Sequence, residues 1–526
     1  MAQLASAALY ETVIHTQYGS IQGYPAFNSS PTGNLTHWKD ITVWKGIPFA
    51  ATTAGQNRFR EPQPASAWNK TLDAREWGPV CPQATSGQTG FTIDEDCLNL
   101  NIWSAANSTD AKLPVVMWSY PAESTAADPL FDGGGMADKG IVFVNYNYRT
   151  GAFGWLAHPE LSEEFYQVTG SNSSGNWAML DQFAALKWIH ENIAAFGGDP
   201  DHITVQGQSA GSAATQHILN SPLTAGLIVG AIIESGVRDP QDPMCATVAE
   251  NYKTLSYKLN QGVEYLASLN LTTIAELRAL PMEDLVSSGT ANSAGWTAGL
   301  DYYAMPDTYY NTLIHGLAHN VPVITGNAKD ENGATWNLSI TLTEYLADMN
   351  ETFYASGDDG HWLDDFLDVY WANDSRTAAA AYNLQWDDRS TIGTWMWAQM
   401  WYTARTAPVY TYFWDHAPPG EDRGAYHESE INYVLNNLYD TDLPWEAIDY
   451  VIADKMNSYW VNFAKTGNPN GLDANGDPLV EWPATSDSEV VQRVGNAWGP
   501  IAVASETDPK AKIKLFQDWF AVQPKF

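Results

Sequence analysis

The residues of this 526-residue chain that combine type and spacing for chemistry are Gly207-Gln208-Ser209-Ala210-Gly211. Ile203-Thr-Val-Gln206 before them has the composition of a buried strand, and Ser212 to Leu219 after them forms helix readily. Strand, sharp turn and helix in that order give the pattern G-x-S-x-G its meaning. The turn lifts a serine hydroxyl off a sheet, and glycines are needed because side chains would clash in so tight a bend. The helix that follows aims its N-terminus at the site, where its dipole favours developing negative charge. The chemistry to expect is nucleophilic attack by the Ser209 hydroxyl.

A serine hydroxyl is a weak nucleophile until a base takes its proton. The base is usually a histidine oriented by a buried carboxylate, and after a strand-turn-helix serine the acid precedes the histidine in the chain. The histidines after Ser209 with room for an acid between are His315, His319, His361, His416 and His427; spacing does not choose among them.

These groups need a scaffold. Residues 12–24 and 41–48 alternate apolar and polar and predict an early antiparallel sheet. Asn99–Trp103, Val115–Ser119, Ile141–Tyr146 and Ile203–Gln206 predict short strands separated by helical stretches. That alternation argues for an α/β fold, a large, mostly parallel sheet with helices on both faces. A helix is expected from about Trp177 to Phe196, with Leu180, Phe183, Ala184, Leu186, Trp188 and Ile193 as its apolar positions and Gly197-Gly198-Asp199-Pro200 as its stop. Residues 240–320 and 340–400 are richer in helix formers and predict inserted helical cap regions. With no repeat, low-complexity block or linker, residues 1–526 are expected to form one domain.

The formal net charge of -35 disfavours nucleic acid and anionic membrane surfaces as partners. No stretch is apolar for long enough to span a bilayer, and Met1 to Tyr10 do not read as an intact signal peptide. Secretion is nonetheless favoured by the glycosylation sequons at Asn28, Asn34, Asn69, Asn107, Asn172, Asn270, Asn337, Asn350 and Asn373. Cys81 and Cys97 could close a short loop, with Cys245 left over; three reduced thiols fit the cysteine count equally well. No zinc spacing, phosphate loop or dinucleotide fingerprint is present, so no cofactor is expected. Asp473-Ala-Asn475-Gly-Asp477 starts like a calcium loop but places Ala484 where the bidentate glutamate belongs, and predicts a polar turn.

Motifs along nearly the whole chain resemble the type-B carboxylesterase/cholinesterase-like family. They are Lys45-Gly-Ile-Pro-Phe-Ala50, Arg58-Phe59, Glu95-Asp-Cys-Leu-Asn-Leu-Asn101, Asn147-Tyr-Arg149 with Phe153-Gly154, Asp181-Gln182, and Ala185-Leu-Lys-Trp188. Asn192-Ile193, Phe196-Gly-Gly-Asp-Pro200, the serine turn and Asn462-Phe-Ala-Lys-Thr-Gly-Asn-Pro469 complete the set. The resemblance implies the α/β-hydrolase fold and an acyl-enzyme mechanism on a small-molecule ester, without a cofactor. The acidic, sequon-rich and Trp-rich style is similar to secreted fungal members. The family's Asp-Glu-Gly segment corresponds to Lys329-Asp-Glu-Asn-Gly333, which implies Glu331 as the acid; the extra Asn keeps Asp330 as an alternative. The family's His-x-x-Glu segment corresponds to Tyr426-His-Glu-Ser-Glu430 and selects His427. By the same resemblance Cys81 and Cys97 form a disulfide, and Ser235 in Glu234-Ser-Gly236 lies behind the acid or in a plain turn.

The chain departs from the family at the oxyanion hole, which needs N–H donors aimed at the tetrahedral oxygen. One donor should be Ala210. The others come, in relatives, from a His-Gly-Gly-Gly run, but here Leu113-Pro-Val-Val-Met-Trp118 is followed by Ser119-Tyr120-Pro121-Ala122-Glu123. Register assigns the donors to Ala122 and Glu123; Pro121 has no N–H. A Glu123 carboxylate about 5 Å from the oxyanion would oppose it by roughly 3 kcal/mol at an effective dielectric near 20, about a hundredfold in rate. Gly133-Gly-Gly135 lies downstream and reads as a turn. Gln208 stands where choline-acting relatives have Glu, and residues 82–96 contain no Trp, so choline esters are not expected. Trp395-Met-Trp397 and Trp401-Tyr402 could line an aromatic pocket or belong to the core. Two other expectations compete with ester hydrolysis: acyl transfer or a specialised biosynthetic step on the same residues, and a non-catalytic binding protein.

Overall fold

Strand composition decides the centre of the molecule. Val142–Tyr146, Gly230–Glu234 and Val323–Ala328 are buried along their whole length, as strands covered on both faces must be. In the computed structural model they belong to an 11-stranded sheet. Residues 8–33, 35–83, 90–248, 251–287, 295–317, 319–331, 339–354, 361–420, 422–486, 488–505 and 507–526 are described. Met1 to Ala7, the sequon residues Asn34 and Asn337, and Gly333 lie outside them.

The strand order is Gly499–Ala502, Val490–Val494, Val409–Trp414, Val323–Ala328, Gly230–Glu234, Gly198–Gln208, Leu113–Ser119, Val142–Tyr146, Asn99–Ser104, Thr42–Pro48 and Tyr24–Pro25. Every pairing from Val490–Val494 to Val142–Tyr146 is parallel. The pairings at both margins are antiparallel. The carboxyl ends of the parallel strands therefore meet at one edge, where loops can assemble a site.

The expected early antiparallel sheet splits in two. Val13–Thr16 and Gly19–Gln22 pair antiparallel in a small separate sheet, whereas Thr42–Pro48 joins the main sheet. The burial of Val43, Trp44 and Ile47 draws Thr42–Pro48 into the large core. Between the two sheets stands Gly23, where a Cβ would sit 2.4 Å from the Trp44 indole nitrogen. The long helix is α-helical over Trp177–Asn192, tightens to a 3₁₀ turn at Ile193–Phe196 and stops at Gly197, whose φ of 81° is left-handed.

The two cap regions do different things. Leu266, Ile274, Leu277 and Leu285 from the first pack on Phe59, Phe153, Phe165 and Trp177. Tyr345, Phe353, Phe366 and Trp395 from the second pack on Phe516 and Trp519 of the last helix, Pro509–Ala521, as a satellite core. Trp397 and Trp401 are buried in the main core, so this Trp-rich segment is structural. Gly133 precedes a short helix, Gly134–Asp138, instead of forming an isolated turn; a Cβ on Gly133 or Gly135 would strike Phe143 or the Asn436 carbonyl. Asp473 Oδ1 accepts from the amides of Asn475 and Asp477, which is a polar turn.

Cys81 and Cys97 form a disulfide, and Cys245 is a buried thiol donating to the Asp239 carbonyl. Replacing both Cys81 and Cys97 by alanine is expected to cost about 3 kcal/mol by the loop-entropy argument. The check is the thermal midpoint of the double variant against the oxidised parent.

Candidate active site

Ser209 follows the strand Gly198–Gln208 directly and caps the helix Ala210–Asn220. Its backbone has φ 55° and ψ -118°, a strained combination for a residue with a Cβ. The surroundings hold it there. Ser209 N–H donates to the Glu234 carbonyl at 3.0 Å, and the Ser209 carbonyl accepts from Ser212 N–H and Ala213 N–H. A Cβ on Gly207 would lie 2.2 Å from the Gly211 carbonyl oxygen, and one on Gly211 only 1.9 Å from that of Ser119. Both glycines are required by backbone that cannot move aside.

The strand Leu113–Ser119 runs into the loop expected to supply oxyanion donors. Tyr120 stacks on Tyr148 with ring centroids 4.6 Å apart. Tyr148 Oη donates to the Tyr120 carbonyl at 3.0 Å, and Tyr120 Oη accepts from Tyr148 N–H at 3.2 Å. This reciprocal clamp and Pro121 give the loop a stiffness that a glycine run lacks. Glu123 has φ 62°, so it keeps a left-handed backbone although it is not glycine. Ala122 and Glu123 are exposed and line the same cavity as Ser209 and Ala210.

Glu331 and His427 follow Val323–Ala328 and Val409–Trp414, two and three strands along from the serine strand. Their side chains meet: His427 Nδ1 donates to Glu331 Oε2 at 2.5 Å. Glu331 Oε1 accepts from Ala328 N–H at 2.8 Å. Asp330, the alternative acid, is turned to the Ala425 amide at 2.8 Å and ties down the loop that leads to His427. His319 and His416 bond elsewhere, to Thr224 and to Asp449 with Asn496, and His315 and His361 are exposed.

Burial opposes a charge on His427, but Glu331, by its charge and hydrogen bond, and then Glu430 and Glu428 hold the imidazole pKa up at about 9. Burial also pushes Glu331 up; the His427 charge and hydrogen bond outweigh it and leave the carboxyl below its ordinary value. Ser235 has φ 51°, and its hydroxyl is 3.4 Å from Glu430 Oε1, with Glu331 as a further partner. Burial, then the Glu331 charge, raises Glu430 to about 8, so a second negative charge beside Glu331 is avoided at neutral pH. Gln208 is fully buried.

The cavity holding Ser209 has a volume of about 420 Å³. Its aromatic walls are Tyr120, Tyr148, Trp155 and Trp296, not the Trp395–Tyr402 segment. Thr247, Val248, Asn251 and Thr297 from the first cap region contribute; among the described residues the second contributes none. Ala213 and His217 extend the wall along the helix after Ser209. Burial lowers the His217 pKa to about 3, so this imidazole stays neutral.

Several contributors were not singled out in the sequence. The Tyr148 half of the clamp sits in Asn147-Tyr-Arg149, and Glu430 is the glutamate of the histidine segment. Other family-like motifs are buried ion pairs: Arg149 grips Asp181 at 2.8 and 2.7 Å, and Arg58 grips Glu95.

The sequence model of the Carboxylesterase family matches residues 10–497. The chain is 33% identical over 479 residues to the Fumonisin B1 esterase of Sphingopyxis macrogoltabida, covering 87% of this chain and 82% of that protein. It is 30% identical to the Para-nitrobenzyl esterase of Bacillus subtilis (strain 168), covering 96% and 98%. A solved structure of PNB esterase superposes with a TM-score of 0.73 at 26% identity, over 95% of this chain and 99% of that one. The fold is therefore that of the α/β-hydrolases, and the chain belongs to the carboxylesterase family as a carboxylic ester hydrolase.

Proposed function

We propose that the chain hydrolyses small-molecule esters through an acyl-enzyme formed on Ser209, with His427 as base and Glu331 as its orienting acid. The hydrogen bond from His427 Nδ1 to Glu331 Oε2 is the observation that carries this reading. It fixes the tautomer and leaves Nε2 as the atom that takes the Ser209 proton. Ser209 Oγ attacks the ester carbonyl, and the oxyanion is met by the N–H groups of Ala210, Ala122 and Glu123. His427 passes its proton to the leaving alcohol, then deprotonates the water that cleaves the acyl-enzyme. Ser235 supports Glu331 from behind, together with a neutral Glu430. Gln208 brings no charge beside the nucleophile.

The test is hydrolysis of short p-nitrophenyl esters with and without Glu123→Gly. The Glu123 side chain is exposed, so solvent screening reduces its opposition to the oxyanion. A rise of about tenfold on these neutral esters is expected. No rise would remove Glu123 from the account of the oxyanion hole.

We also propose that the protein is secreted and glycosylated. Asn28, Asn69, Asn107, Asn172, Asn270, Asn350 and Asn373 are exposed. Endoglycosidase treatment of the protein from its native host should lower its mass; an unchanged mass would count against this reading.

A further inference from the structure

The helix Ala210–Asn220 starts at the nucleophile and continues as one wall of the cavity. Ser209, Ala213 and His217 are four residues apart, so they share a helix face. All three line the cavity. At the α-helical rise, His217 stands about 12 Å beyond Ser209 along the helix axis. Ala213 between them is small, which leaves this face open to a substrate arm. The His217 ring is held by two other walls of the same cavity. Its Nδ1 is 3.4 Å from Gln182 Oε1, and it meets Trp155 edge to face with ring centroids 6.0 Å apart. His217 also lines a second, small cavity of about 20 Å³, with Met179, Ala304, Met305 and Thr312 among its other walls. No other described residue belongs to both linings, so the imidazole stands where the two spaces meet. It is neutral, because burial holds its pKa down at about 3, and offers no charge to the end of an arm.

We infer that His217 is a specificity-determining residue whose ring closes the cavity two helical turns from Ser209 and so limits the length of the neutral substrate arm that lies along the helix. Removing the ring joins the two spaces. Met179 and Met305 beyond it are unbranched and flexible, and yield to an entering chain. Each methylene that gains room there is worth about fourfold in rate. This inference rests on the ester-hydrolase reading of the site.

The experiment measures kcat/KM over two series of neutral esters. The p-nitrophenyl esters from acetate to decanoate lengthen the acyl arm, and the acetate esters from ethyl to decyl lengthen the alcohol arm. In the parent protein, one series should fall beyond a definite length. His217→Ala should move that fall to longer chains and raise the longest ester against the shortest by about tenfold or more. His217→Phe keeps a ring at the junction but gives up the bond to Gln182, and should keep the parental limit. Ala213→Leu, on the same face but nearer Ser209, should shorten the limit; this variant decides the matter if His217→Ala does not fold. No fall with length in either parental series overturns the proposal, as does an unchanged limit in His217→Ala or, in its place, in Ala213→Leu. An equal extension by His217→Phe and His217→Ala also overturns it, because the hydrogen bond and not the ring would then set the limit. Inactivity on both series together with no fluorophosphonate labelling of Ser209 would overturn the hydrolase reading beneath it.

Discussion

Ser209→Ala is expected to abolish ester hydrolysis, with kcat falling by roughly 10⁴-fold or more, and to abolish covalent labelling by a fluorophosphonate. The size follows from the covalent route: without Oγ no acyl-enzyme forms, and only binding and the oxyanion donors remain to act on a water. The variant is a clean probe because alanine keeps the Cβ. The strain at φ 55° and ψ -118° is unchanged, and so are the N–H bond to the Glu234 carbonyl and the start of the helix Ala210–Asn220. Its thermal midpoint should therefore match that of the parent. Lost activity with an unchanged midpoint assigns the chemistry to the hydroxyl; retained activity would move the nucleophile elsewhere.

The serine could be read from the sequence because its constraint is local. A strand, two glycines and a helix within a few residues leave little freedom, and the backbone carbonyls of Ser119 and Gly211 explain why both glycines are needed. The pairing of the proposed acid and base is a contact spanning 96 residues, between His427 and Glu331. Periodicity and spacing left several histidines open, and only the resemblance chose among them. Asp330 shows why. It precedes Glu331 in the chain, yet its carboxylate is committed to the Ala425 amide, a partner no local pattern reveals. The central parallel strands were legible because burial on both faces leaves continuous apolar runs. The destination of Thr42–Pro48 was not, since its alternation suits either sheet and tertiary burial of Trp44 decides. The cavity walls were the least legible part. Trp155 and Trp296 come from distant segments that aromatic composition does not single out, while of the two roles open to Trp397 and Trp401 the structure gives them the core.

Glu331→Gln is expected to lower kcat by about 10³- to 10⁴-fold and to shift the pH profile in a direction that identifies the cause. The carboxylate accepts two N–H bonds, from Ala328 and from His427. An amide has one accepting oxygen, so it must either face the Ala328 N–H with its own N–H₂ or turn that group to His427 and favour the wrong tautomer. The pH effect follows from charge. His427 must be neutral to act as base, and Glu331 is the main group holding its pKa up at about 9 against burial. In the parent, kcat/KM should thus rise with pH and level off near 9. Without the Glu331 charge the imidazole loses its proton more easily, and the acidic limb moves to lower pH. Linkage gives the matching sign for stability. The raised His427 pKa contributes stability in full below the ordinary value of 6.5, lost as pH rises through about 9. The parent's thermal midpoint should show that decline, and the Glu331→Gln variant should not. A profile that loses amplitude but keeps its limb would mean that Glu331 orients His427 without setting its charge. A variant with parental kcat would transfer the acid's role to another carboxylate, with Glu430, also close to Ser235, first in line.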